Sequence, residues 1–64
     1  MKTIQFLKVD DLEPLAIVDF DPELQPLVGD EIEIPRAGEF RIVRRRWAFH
    51  GDDRHLILIM EVLV

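Results

Sequence analysis

Leu56-Ile57-Leu58-Ile59-Met60-Glu61-Val62-Leu63-Val64 is apolar at every position but one. Strands alternate their side chains between two faces, so a strand with one wet face reads apolar, polar, apolar, whereas a continuous apolar run marks a strand covered on both sides. The run is too short for a membrane-spanning helix, which needs about 20 apolar residues. It therefore reads as a strand from about His55 to Leu63 with two hydrophobic faces. A chain of 64 residues buries only about 60% of its unfolded surface. The second cover must then come from closure of a barrel or from another subunit.

Composition supports a small core in need of help. Hydrophobic residues make up 48% of the chain, including Trp47 and four phenylalanines, and there is no cysteine to supply a disulfide or a thiolate metal site. Lys2 and Lys8 interrupt the apolar residues near the start, so no secretory signal is expected and the compartment is read as cytoplasmic. The formal charge of −5 is uneven: residues 1–34 carry −7, and residues 35–64, with six arginines, carry +2. Such asymmetry points to a charged partner or to pairing between the halves.

Working back from the last strand, the chain reads as one domain over residues 1–64. Lys2 to Val9 and Leu15 to Phe20 form a hairpin across Asp10-Asp11-Leu12-Glu13-Pro14, and Asp21-Pro22 opens one helical turn over residues 22–26. Glu31-Ile32-Glu33-Ile34 alternates cleanly. A three-residue loop at Arg36-Ala37-Gly38, with Gly38 left-handed, pairs Ile34 with Phe40, Glu33 with Arg41 and Ile32 with Ile42. The strand from Glu39 to about Phe49 changes phase: Phe40 and Ile42 share one parity, Val43, Trp47 and Phe49 the other. A bulge near Ile42–Arg45 would turn both sets inward. His50-Gly51-Asp52-Asp53-Arg54 is the last turn.

This order of elements resembles Src-homology-3-like barrels: five strands, one bent strand serving both halves, and a short helical turn. The resemblance implies an all-β fold, a five-stranded antiparallel small barrel or curled sheet with one helical turn. It is shared by small bacterial, phage or mobile-element proteins of no assigned activity. Peptide-binding members receive proline-rich ligands on an aromatic cluster beside an acidic loop. With no tyrosine present and Trp47 and Phe49 read as packing residues on one strand, that activity is not carried over. Leu24 to Ile34, through Val28-Gly29-Asp30-Glu31-Ile32-Glu33-Ile34, is similar to the core of swapped-hairpin DNA-binding domains of the AbrB and MazE type. Those use a basic N-terminal strand, where this chain is acidic.

Three constellations bear on chemistry. Arg41, Arg44, Arg45, Arg46 and Trp47 could grip phosphates and stack a base, which makes nucleic-acid binding the alternative function. The preferred reading pairs the arginines with Glu31 and Glu33 and puts Trp47 in the core, because a domain of net negative charge is a poor polyanion binder. His50, Asp52, Asp53 and His55 are legitimate ligand types for zinc, but Gly-Asp-Asp is ordinary turn chemistry and the spacing matches no established site, so no metal or other cofactor is expected. With neither serine nor cysteine and Thr3 the sole threonine, no catalytic constellation exists within one chain. The expected function is a self-associating binding or assembly module, a dimer or higher homo-oligomer that could also take a protein partner. Its interface would include Ile57, Ile59 and Leu63. Either the odd or the even positions of the last strand could face that interface.

Overall fold

The computed structural model describes residues 1–23 and 25–63. It is all-β, with β1 (Lys2–Lys8), β2 (Ala16–Asp19), β3 (Glu31–Ile34), β4 (Gly38–His50) and β5 (Asp53–Val62). They form one sheet in the order β2-β1-β5-β4-β3. Neither the wholly antiparallel arrangement nor the barrel holds. The sheet is open, with β2 and β3 at its edges, and β1 runs parallel to β5, pairing Ile4 with Leu56 and Leu7 with Ile59. Parallel neighbours cannot be joined by a tight turn. Three intervening strands separate them in sequence, and β5 inserts between β1 and β4. The strand with two apolar faces is thus central, and it offers a partner a face and no free edge.

The expected helical turn is also replaced. Pro22 and Glu23 form a turn in which Asp21 Oδ1 accepts from the Glu23 amide at 2.9 Å; no helix occurs among the described residues, and Leu24 lies outside them. No helix is long and apolar enough to cross a membrane.

Turn chemistry sets the other corrections. The amide of Ala37 donates to the carbonyl of Ile34 at 3.0 Å, with Pro35 second in the turn and Arg36 third at φ 71°. That is the type II pattern, which requires a positive φ at its third residue. The loop is therefore Pro35-Arg36-Ala37, and the register moves by two residues: Ile34 faces Gly38, Glu33 faces Glu39, Ile32 faces Phe40 and Glu31 faces Arg41. An even shift leaves every side chain on its expected face. It changes which charges meet. At the last hairpin, Gly51-Asp52 is a two-residue loop with Gly51 at φ 61°, as a type II′ turn demands of its first loop residue.

The bulge falls between Ile42 and Arg44, as the change of phase requires. The extra residue is Val43, and instead of turning inward it is exposed. Before it, Phe40 and Ile42 point to the core; after it, Arg45, Trp47 and Phe49 take that face, opposite Leu58, Leu56 and Arg54. The core consists of Ile4, Phe40, Ile42, Leu56, Leu58 and Met60, with Phe6, Phe20, Ile32 and Ile34 packed against it. All belong to one face of the sheet or to its cover. That cover is the connection between β2 and β3. Phe20, just past β2, meets Trp47 of β4 with ring centroids 5.5 Å apart, and Arg45 Nη2 donates to Gln25 Oε1 at 2.9 Å. The connection thus crosses β1, β5 and β4 to reach the opposite edge.

Candidate interaction surface

Three even positions of β5 are spent on the core: Leu56, Leu58 and Met60 are 0% exposed. Ile57, Ile59 and Glu61 lie on the opposite face, where the register groups them with residues of four other strands. One row reads Ile17, Gln5, Ile57, Arg46; the next Leu7, Ile59, Arg44; a third Glu61, Arg41, Glu31. Leu63 follows the strand, donating its amide to the Glu39 carbonyl at 2.9 Å and lining a cleft of about 200 Å³ with Glu31, Ile32, Glu33 and Glu39. Ile57, Ile59 and Leu7 are half-buried, and the contacts of the β2–β3 connection among the described residues lie on the other face. Gln5, Arg44 and Arg46 flank them in the register, and long amphipathic side chains cover apolar neighbours in this way. Leu7 is not legible in the sequence as part of this face because only the β1–β5 pairing brings it beside Ile59, and Ile17 joins the face one strand further out, beside Gln5.

The basic cluster does not form one surface. Alternation puts Arg44 and Arg46 on the open face with Arg41, whereas Arg45 and Trp47 lie on the core face. Arg41 pairs with Glu31 at 3.9 Å and Glu61 at 3.7 Å, and not with Glu33 as expected. Among the described residues no carboxylate reaches Arg44 or Arg46. Arg45 is held by Gln25, while its Nε is buried with no partner.

Trp47 is not a core residue: it is 41% exposed, and Phe49 is 63% exposed. The cover stops at Phe20, so the end of the core face beyond it stays open. There Trp47 and Phe49 lie with ring centroids 6.3 Å apart and planes 10° apart, and the Arg54 guanidinium sits over the Phe49 ring at 5.5 Å. With Lys2 and Phe20 they line a shallow cleft of about 210 Å³.

The residues with metal-ligating side chains have separate partners. Thr3 Oγ1, buried, is 2.7 Å from His55 Nδ1. Asp53 Oδ1 accepts from the N-terminal ammonium at 3.0 Å. That hydrogen bond and its charge, aided by His55 and His50, hold the Asp53 carboxyl below the usual carboxylate range. The rings of His50 and His55 are 5.9 Å apart, Asp52 is exposed in the turn, and among the described residues no three acidic or imidazole groups converge on a point. These contacts fasten the N-terminus to the β4–β5 hairpin. Compared with protein-family models, with curated proteins and with solved structures, this chain matches none.

Proposed function

We propose that this protein is a self-associating assembly module in which a second copy covers the open face of the sheet. One observation carries the reading: the central strand is apolar on both sides, and the segment that covers the sheet among the described residues lies on one of them. Full burial of a Leu or Ile side chain contributes roughly 1.5–3 kcal/mol, and Leu7, Ile57 and Ile59 are already half-buried, so completing their burial adds a fraction of that at each against a net stability of about 5–15 kcal/mol. Apolar surface spread over several strands is also a recognised mark of an interaction site. The alternative, nucleic-acid binding, loses its platform because Trp47 faces away from Arg44 and Arg46. No catalytic role is proposed.

Sedimentation equilibrium tests this reading. The chain is expected to form a dimer or a higher closed oligomer at micromolar concentration. Ile59→Lys is expected to be a monomer with an unchanged far-ultraviolet circular dichroism spectrum. A wild-type monomer at high concentration, or an Ile59→Lys variant that associates as the wild type does, would contradict it.

A further inference from the structure

The open face carries a charge pattern that the chain does not neutralise itself. Glu33 stands directly opposite Glu39 across the β3–β4 ladder, and directly opposed like charges destabilise a sheet. The nearest cation on that face in the register, Arg41, is engaged by Glu31 and Glu61. Further along the same strand and on the same face, Arg44 and Arg46 stand opposite Ile59 and Ile57, exposed and without a carboxylate partner among the described residues. Two acids lacking a base and two bases lacking an acid thus share one face, on either side of the paired Arg41.

We propose that the covering partner is a second copy of this chain, turned so that Glu33 and Glu39 of each protomer meet Arg44 and Arg46 of the other; this rests on the self-association reading above. In a two-fold interface the same patch serves both subunits, so contacts occur in reciprocal pairs. A two-fold axis crossing the sheet at the level of Arg41 and Glu61 generates the pairs row by row. It sets Arg44 against Glu39 and Ile59 against Leu63 of the second copy, keeps Val9, which follows Lys8 at the level of Glu61, beside the axis, and leaves Arg46 one row and one strand from Glu33, a diagonal that two long side chains can span. Val9 is exposed in the single chain. The charges fix the orientation and exclude the in-register stacking that would oppose like with like.

The test is a charge exchange. The double variants Glu33→Lys/Glu39→Lys and Arg44→Glu/Arg46→Glu alter exposed positions, and circular dichroism establishes that each folds. Each alone is expected to self-associate at least tenfold more weakly than the wild type. Mixed in equal amounts they are expected to form a one-to-one heterodimer, seen by native mass spectrometry, since each reversed patch then meets its complement. Should either variant not fold, the wild type supplies the readout: raising sodium chloride from about 0.05 M to about 0.5 M shortens the screening length and is expected to weaken association several-fold. Association unaffected by both reversals, failure of the folded variants to complement, or association strengthened by salt would overturn this orientation while leaving self-association intact. A wild-type chain that never associates removes the orientation and the reading beneath it together.

Discussion

Leu58 and Ile59 are successive residues of one strand and nearly the same chemically, yet the fold treats them differently. Leu58 is fully buried under the connection from β2 to β3, and Ile59, pointing the other way, is half-buried among Leu7 and Arg44. The difference teaches where this chain runs out of material. The β2–β3 connection is its only long link outside the hairpins, and it can be laid over one face of a five-stranded sheet once. The three successive arginines repeat the lesson in charge. Arg45 on the covered face has its head group held by Gln25, whereas Arg44 and Arg46 on the open face are left to solvent or to a partner.

The comparison predicts its largest effect at these two positions. Leu58→Ala removes a side chain from a packed interior and is expected to cost about 2–5 kcal/mol, independent of protein concentration. Ile59→Ala is expected to cost less, with a loss that depends on protein concentration, because stability coupled to association follows mass action. Chemical denaturation of both variants at two concentrations a hundredfold apart separates the cases. Equal, concentration-independent losses would mean that both faces belong to one core.

A smaller effect is expected at the arginines. Arg45→Met keeps the apolar stem and removes a buried Nε with no partner, and it is expected to raise stability by about 1 kcal/mol. Arg44→Met on the open face is expected to leave the folded monomer within about 0.5 kcal/mol of the wild type. Thermal unfolding in the monomeric Ile59→Lys background measures both without interference from association. A loss at Arg45 would show that its bond to Gln25 outweighs the stranded donor.

How far the sequence discloses this structure depends on the range of the interaction. The strands, the bulge and the face of most strand residues follow from local periodicity, Val43 being the exception, and they are legible in Glu31–Ile34 and in the phase change between Ile42 and Trp47. The parallel pairing of β1 with β5 is not, because no local pattern specifies which remote strand lies beside an apolar run. The β3–β4 register departs from expectation at a single residue: the sequence offers Gly38, the easier residue, as the left-handed position, and the structure has Arg36 there as well, behind Pro35. Trp47 reads as core because its apolar neighbours are legible in the sequence, whereas the point where the covering segment ends is not. The open face was visible only as an excess of hydrophobicity, and Leu7 and Ile17 joined it through pairing alone.

The smallest effect concerns the tie between the chain start and the last hairpin. Asp53 has its carboxyl held below the ordinary value of 3.8 by the N-terminal ammonium. A depressed folded value means that the contribution is fully present above the ordinary value and is lost as pH falls through the folded one. Asp53→Asn is therefore expected to lower stability slightly near neutral pH, with the difference from the wild type shrinking as the pH falls through the folded value. Because the group is fully solvent-exposed, the difference is expected to be modest. Denaturation midpoints of the two proteins as a function of pH would reveal it, and parallel curves would show the tie to be thermodynamically silent.

The central claim is that another copy of this chain covers the face of Leu7, Ile57 and Ile59. Isotope-filtered nuclear Overhauser spectroscopy on a mixture of methyl-labelled and unlabelled protein tests it most directly, since it reports contacts between copies only. The account predicts intermolecular contacts from the methyl groups of Leu7, Ile59 and Leu63 and none from Leu56 or Leu58. Intermolecular contacts centred on Trp47 and Phe49, or none at a concentration where the protein sediments as a single species, would contradict it.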